Sequence, residues 1–597
     1  MIYVVKSGSS IAGGMATGLY VPGAGGIVSR EGALASLQTG KVENALLGGK
    51  PTGKILVDVV FGVPARPTVP AAYVVVPSPG KHHNTRRYFV AIAAPGYRGI
   101  LTSDATRIRG LVPVTDIAPT LVALQQGRSP PIRAERDPDA RSDLTSLDKR
   151  LTRVHRDRGW VETAVILTAL ALVAAVPTAA VVGGAAAIAG SLLLSWAGAT
   201  RFWIVIPAMV GLTIGLALIG SRRRLLIPIS VAVFLCAYLA VLTLSTETNS
   251  LAVLGARPDG GGRFYGIGNQ LETLMLTPFI AAIVVAGLPW LLPLGALGLV
   301  TVAWSKAGAD GGGLVVFAVA LAVLALRLRD IPLTWRRTAL ASAAVVVVVL
   351  AVIGLDAALG GSSHVTRAVG TGPGSLLGDL GHRLHLSWAS ATKAWYKITL
   401  FVGCLAVLVW IATRRPRRAS VDAMLVALAV SLLVNDTPVD VIGLGALGCL
   451  ALLRFESVDS RPMRRGALSA ACIVAVLLVA GCGNEGVVSP KPKSVVGTIK
   501  TEAPGKAIFI NQGCGACHTY APAGPEANGN IGPDLDKLPE YAKTAKQPLA
   551  TFVHDSIVDP NKYVQKGYPK NVMPKSYASL PPSDLKDLVD FLSKPQG

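Results

Sequence analysis

Charge is scarce in this chain: 15% of its 597 residues are Asp, Glu, Lys or Arg, against about 25% in an ordinary soluble domain. Together with 51% hydrophobic residues and a mean hydropathy of +0.51, this excludes a purely soluble protein. Cysteine is also scarce. Seven scattered cysteines are too few for a disulfide framework, and only Cys514 and Cys517 stand at a chemically telling spacing. A third absence is regional: no arginine follows Arg465, where 13 Lys remain, whereas 35 Arg and 9 Lys lie up to that point. No folding constraint produces such a switch, and it reads as two coding histories joined near residues 461–466. The net charge of +22 would point to nucleic acid in a soluble chain. Here much of it lies in short clusters between apolar runs, where it orients membrane helices, so no nucleic-acid partner is expected.

What is present is a succession of apolar runs. Those at 161–181, 184–199, 202–220, 225–246, 271–286, 290–305, 313–328, 338–356, 396–413, 421–436, 439–454 and 467–482 predict about twelve spans. Several fall short of the ~20 residues needed to cross ~30 Å of hydrocarbon. The basic loops 221–224, 327–337, 413–418 and 454–465 fall on one side, assigned as cytoplasmic; the cluster 149–158 disagrees. The opposite side receives loops 247–270 and 360–397, the N-terminal stretch and the C-terminal domain. The predicted organisation is a soluble stretch at 1–158, a membrane body at 161–454, a junction segment at 463–482, a tether at 483–498 and a domain at 499–597. Within the first stretch, β-rich runs at 54–60, 71–76 and 88–93 among Gly/Pro turns suit a partial α/β fold, and 137–158 reads as a charged connector. Residues 1–26 lack the basic-then-apolar order of a secretory leader, which is awkward for an outward-facing stretch and points to a missing start.

The strongest motif is Cys514-Gly515-Ala516-Cys517-His518, the C-x-x-C-H pattern of covalent haem attachment. Two thiols one turn apart can add to the two haem vinyl groups, and the adjacent imidazole then faces the iron. The competing readings are a thioredoxin-like dithiol, which wants a preceding strand, and half of a zinc site, which wants a second Cys/His pair. Pro582 and Ser583 open a last helix, with Ser583 as cap and Leu585, Leu588, Val589 and Leu592 forming one apolar stripe.

On these residues, the stretch from about 498 to 594 resembles the small single-haem c-type cytochromes. The resemblance implies an all-α domain in which Gly505 and Phe509 lie on a first helix crossed by the last, with Phe591 against Gly505. It implies that the carbonyl of Pro533 accepts a bond from His518, and that Met573, the only methionine after Met463, is the sixth ligand of one covalent haem c. His554 is the competing ligand. A His/Met-ligated iron has no open position, so the expected task is one-electron transfer, without catalysis. Lys562, Lys566, Lys570 and Lys575 cluster on the distal approach, where they either steer an acidic redox partner or form a solvated loop. Expected partners are membrane redox complexes or soluble electron carriers, and membrane lipid.

The segment 463–482 resembles a bacterial lipoprotein signal, which makes Cys482 a lipidation candidate; in an unprocessed chain it is the last membrane helix and Cys482 a buried structural residue. Residues 97–121, especially 115–120 (TDIAPT), resemble the terminal part of alkaline-phosphatase/sulfatase-like domains, without that family's upstream metal-ligand motifs. Segments 262–269 (GRFYGIGN), 308–313 (GADGGG) and 435–437 (NDT) resemble an uncharacterised family of bacterial multi-spanning proteins. Arg263, Asn269, Asp310 and Asp436 are the candidates for a polar site there, against the alternative of helix caps and interfacial turns. The overall reading is a mainly α protein of the bacterial cell membrane, multi-pass, with the haem domain extracytoplasmic. The alternative is an envelope transporter or membrane-embedded enzyme with the cytochrome as a fused module.

Overall fold

The computed structural model describes residues 1–5, 15–22, 27–40, 57–61, 69–76, 81–83, 87–258, 263–332, 334–359, 395–414, 418–435, 437–457, 504–512, 514–524, 527, 529, 531–573, 577–578, 580 and 582–593. They fall into two compact units: Met1–Asp148, Asp259–Gly261 and Ser489–Gly597 in the first, Lys149–Pro258 and Gly262–Val488 in the second.

The N-terminal part of the first unit is built on a mixed sheet. Its strands run in the order Ile132–Glu135, Gly99–Ser103, Ala16–Val21, Tyr88–Ala93, Ala71–Val74, Ile2–Val4 and Val59–Phe61. Tyr88–Ala93 and Ala71–Val74 are the β-rich runs expected from sequence. Ala16–Val21 is not: it lies mid-sheet, paired with Tyr88–Ala93 and Gly99–Ser103, although its flanks are glycine-rich. The helix Val114–Gln125 contributes Ile117, Ala118 and Leu121 to the same core. Asp116, in segment 115–120, accepts a bond from the Ser103 hydroxyl at 2.6 Å, and burial raises its carboxyl above the usual range. The sheet agrees with a partial α/β stretch.

The C-terminal part of the first unit is helical in its described residues. Helices Pro504–Asn511, Leu538–Thr544, Leu549–Val558 and Pro582–Leu592 enclose Phe509, Tyr520, Phe552, Leu588 and Phe591. The last helix starts at Pro582, one residue before the expected cap, and buries Leu588, Val589 and Leu592 along its stripe. It crosses the first helix at Gly505, where a Cβ would stand 2.0 Å from the Asp587 carbonyl oxygen and 2.3 Å from the Phe591 Cβ. That close approach lets Phe509, Tyr520 and Phe591 meet at centroid distances of 5.3–6.1 Å.

The second unit is a helix bundle. Seven described helices are long and apolar enough to cross a membrane, and Gly183–Trp196, Leu288–Ala303, Gly311–Arg327 and Ala419–Val434 are shorter apolar helices. The run 467–482 lies outside the described residues. The charged connector and the first apolar run form one helix of 36 residues, Ala140–Ala175, which carries the chain through the expected boundary at 158. Two cations of the basic cluster at 149–158 find partners among backbone carbonyls. Arg150 donates to the Ser195 carbonyl at 2.6 Å, and the fully buried Arg158 donates to the carbonyls of Gly255 and Ala256 at 3.2 and 3.1 Å. These guanidiniums satisfy backbone acceptors that an apolar surrounding would otherwise leave unpaired.

One described arginine from each of the other four basic clusters lies at one end of the bundle. Arg224 stacks 4.4 Å over the Phe455 ring, Arg454 donates to the Val173 and Ala174 carbonyls, Arg418 lies 3.7 Å from Glu456 and Arg327 pairs with Asp422 at 2.9 Å. The N-termini of Asn269–Ala286, Gly311–Arg327 and Pro438–Ser457 gather at the opposite end.

Gly505→Ala should push the first and last helices of the haem-motif domain apart, because the obstacle is a backbone carbonyl that has little freedom to move. The expected loss is about 1–3 kcal/mol, as for other overpacked sites, read as a lower urea midpoint by tyrosine near-ultraviolet circular dichroism.

Candidate functional site

The site begins where the first helix ends. A 3-10 turn over Cys514–Ala516 closes with the amides of Cys517 and His518 donating to the Cys514 carbonyl at 3.2 and 3.0 Å, which holds the two thiols and the imidazole one turn apart. The chain then returns beneath the histidine. The Gly532 amide donates to the Cys517 carbonyl at 2.7 Å, and a Cβ at Gly532 would stand 2.4 Å from the His518 ring, so only glycine passes there. The next residue places its carbonyl under the ring: Nδ1 of His518 lies 2.7 Å from the Pro533 oxygen. With Nδ1 donating to that carbonyl, Nε2 is the nitrogen left for a metal, its tautomer fixed and its basicity raised. Burial holds His518 below the usual histidine range, the Pro533 carbonyl working against it, a direction that favours the neutral ring a metal needs. Burial pushes the Cys514 thiol up to about 12. Both thiols are free.

Residues of the 559–573 loop line the same cleft as His518. Met573 lines the same cleft as Cys514, Cys517 and His518, together with Tyr541 and Tyr563. The cleft holds about 1230 Å³ of space not filled by protein atoms, its open mouth included. The loop is pinned by a feature sequence reading missed. Asn571 stands at φ +63°, its amide donating to Asn561 Oδ1 at 2.8 Å while Asn561 Nδ2 donates to Asn571 Oδ1 at 2.9 Å. Asparagine tolerates the left-handed conformation, and the reciprocal pair holds it two residues from Met573. An Asn ten residues from another carries no periodic signal, so this contact was invisible in the sequence. Tyr577 is a second missed residue: its hydroxyl donates to the Gln512 carbonyl at 3.2 Å, and burial, then Cys514 and Cys517, raise its pKa.

These residues fit a haem. The turn carrying the thiols follows a helix, and no strand lies in residues 504–593 among those described. Among the described residues no three His, Cys, Asp or Glu side chains gather as a metal cluster would need. A large cleft with two thiols and a neutral imidazole on one wall and a thioether on its lining suits a flat iron macrocycle.

Residues 502–595 match the cytochrome c family model. The chain is similar to that family over less than a sixth of its length, and no curated protein or solved structure matches it. A cytochrome c domain implies covalently bound haem c and haem-based electron transfer. His554 is exposed, 3.3 Å from its neighbour Asp555, and does not line the cleft of this domain. Of the distal lysines, Lys562 pairs with Asp555 at 2.7 Å, Lys566 and Lys570 are exposed, and Lys575 lies outside the described residues. Charge for steering is thus reduced at Lys562.

In the second unit Arg263, Asn269 and Asp310 are brought to one end of the bundle. Arg263 lies 3.9 Å from Asp310, and Asn269 donates to the Thr437 hydroxyl at 3.0 Å. Asp436 and Cys482 lie outside the described residues. The residue sequence reading missed is Glu272, fully buried and accepting a bond from Asn435 at 2.8 Å. Its signal was a lone carboxylate opening an apolar run.

Asn561→Ala removes both bonds to Asn571. Because the pair is exposed, the expected cost is about 1 kcal/mol, read in urea titrations of the holoprotein. Asn561→Asp, which keeps the acceptor for the Asn571 amide, should recover part of it.

Proposed function

We propose that the C-terminal domain is a one-electron carrier with a single haem c, bonded through Cys514 and Cys517 and ligated axially by His518 and Met573. The observation that carries this reading is the 2.7 Å contact between His518 Nδ1 and the Pro533 carbonyl, within a cleft that Met573 also lines. Haem iron held by histidine and methionine exchanges one electron at a raised potential. The chain's own contribution is positional. Pro533 orients the imidazole, Gly532 leaves room for it, the Asn561–Asn571 pair holds the methionine loop, and Phe552, Tyr541 and Tyr563 keep the cleft apolar. Exposed Lys566 and Lys570 favour an acidic membrane redox complex or soluble electron carrier as partner.

The second unit is read as a multi-pass body in a bacterial cell membrane, its four shorter apolar helices counted as further crossings. The gathering of Arg224, Arg327, Arg418 and Arg454 at one end supports a cytoplasmic assignment for that end, which leaves the Arg263–Asp310 end and the haem domain outside. Membrane lipid is the surrounding partner, with Cys482 as an anchor where the junction is processed. The second reading, an envelope transporter or membrane-embedded enzyme carrying the cytochrome as a fused module, is favoured by buried Glu272 and Asp310, because electron transfer in the C-terminal domain has no use for them.

Three measurements test these assignments. A pyridine haemochrome of the full chain should show a c-type α-band and one haem per chain, and Cys517→Ala should lose it; survival of full haem content in that variant overturns covalent attachment. Met573→Ala should lose the ferric sulfur-to-iron charge-transfer band and lower the reduction potential; a retained band sinks the ligand assignment. A C-terminal immunoblot of membranes should detect a lipidated fragment beginning at Cys482 if processing occurs, and full-length protein alone if the chain stays fused.

A further inference from the structure

Three tryptophans of the second unit are exposed at one end of the bundle, although indole rings are mostly covered in folded chains. Trp160 immediately precedes the apolar run within Ala140–Ala175, Trp196 ends Gly183–Trp196, and Trp203 is the second residue of Phe202–Gly220. They are 64%, 78% and 84% exposed. Each stands where an apolar helix gives way to polar chain. The rings are also neighbours in space: Phe202 lies edge-on to Trp160 at 6.5 Å and to Trp203 at 5.0 Å. From this cluster the exposed apolar surface continues down Phe202–Gly220 through Ile204, Ile214 and Ile219.

The residues just beyond the tryptophans are cationic. Arg153 precedes Trp160 by seven residues on one helix, about 10 Å at 1.5 Å per residue. Its guanidinium donates to the Thr200 hydroxyl at 3.0 Å, a neutral oxygen that leaves the charge of Arg153 unbalanced. Arg201 follows Thr200 and is exposed, as Arg153 is. Among the described residues neither arginine has an ion-pair partner. Arg156 is different: it pairs with Asp157 at 2.7 Å and adds no net charge. Apolar span, aromatic ring and cation thus follow one another along two adjacent segments. That order is the polarity gradient of a bilayer surface, with indole rings at headgroup level and cations at the phosphates. Two unbalanced guanidiniums further select the headgroup, because the planar fork of arginine pairs with phosphate oxygens and favours a lipid of net negative charge.

We propose that Arg153 and Arg201, with the Trp160–Phe202–Trp203 cluster, form an interfacial site for an acidic phospholipid. The inference rests on reading the second unit as a membrane body and goes beyond it by naming the lipid class and the residues that choose it. It gives cations at 149–158 and 201 a use other than setting orientation.

The test uses the full-length protein in phosphatidylcholine vesicles that also carry brominated phosphatidylglycerol or brominated phosphatidylcholine, with quenching of tryptophan fluorescence as the readout. In the wild type, brominated phosphatidylglycerol should bind about three- to five-fold better than the choline lipid, the order that one or two cations at an acidic surface confer. Arg153→Gln/Arg201→Gln should bring that ratio close to one with quenching by brominated phosphatidylcholine unchanged. Arg201→Lys should keep the preference, and so should Arg222→Gln/Arg223→Gln, which removes two exposed cations beyond the other end of Phe202–Gly220. Arg201→Gln alone, which removes no side-chain bond among the described residues, should lower the ratio by itself, so a disturbed Arg153–Thr200 contact does not protect the idea. A wild-type ratio near one overturns the proposal, as does a preference that survives in Arg153→Gln/Arg201→Gln. Protein quenched by neither brominated lipid overturns the membrane reading itself, which keeps the two failures apart.

Discussion

The bond between His518 Nδ1 and the Pro533 carbonyl is the contact on which the C-terminal domain is arranged. For the ring to lie over that carbonyl, the chain must pass directly beneath it, which requires Gly532. The return segment is then tied to the haem-motif turn by amides reaching the Cys517 and Thr519 carbonyls. Tyr520, two residues after the histidine, is drawn inward to donate to the Phe591 carbonyl at 3.0 Å, which links the ligand turn to the last helix. The crossing at Gly505 is the other end of the same arrangement, since without it Phe591 could not reach Phe509 and Tyr520. A neutral, oriented imidazole is therefore the product of packing throughout the domain, not of its five-residue motif alone.

The second unit obeys a different constraint. Polar groups among apolar helices must find partners within the protein, because apolar surroundings offer none. Arg150 and Arg158 meet backbone carbonyls, and Arg327 and Arg418 meet Asp422 and Glu456. Asp356 accepts from the amide and hydroxyl of Ser305. Glu272 Oε1 is buried with no hydrogen-bond partner among the described residues, as are Glu162 Oε1 and Glu456 Oε2, which lie 3.8 and 3.7 Å from guanidinium nitrogens of Arg257 and Arg418. The C-terminal domain and the helix bundle thus gather different groups: thiols, an imidazole and a thioether line the cleft of the one, whereas carboxylates, amides and guanidiniums pair in the other.

Local order determined what could be read from the chain alone. Cys514, Cys517 and His518 are brought together by a single turn, so their spacing already states their geometry. The stripe on Pro582–Leu592 and the strand Tyr88–Ala93 follow from periods of a few residues. The apolar runs of the bundle were equally plain, because a span is a matter of composition over a short window. Ala16–Val21 was hidden, since its central place comes from neighbours about 75 residues away. The continuity of Ala140–Ala175 was hidden too: a change from charged to apolar residues looks like a boundary, yet both parts are good helix, and the cations find carbonyls further along the chain.

Only the tertiary structure decided where carboxylates and amides meet. Glu272 and Asn435 are 163 residues apart, and Asn561 and Asn571 face each other across a loop with no periodic mark. Such contacts depend on how helices and loops pack, which local propensity does not encode. The sequence by itself determined the haem motif, the apolar character of residues 161–454 and the helical stripe beneath the cleft. Packing decided which amide reaches Glu272, which amide pair holds the methionine loop and which cations are taken up by backbone carbonyls. The physical reason is the same in each case: a turn or a run is a property of neighbours in the chain, whereas satisfying a buried polar atom is a property of neighbours in space.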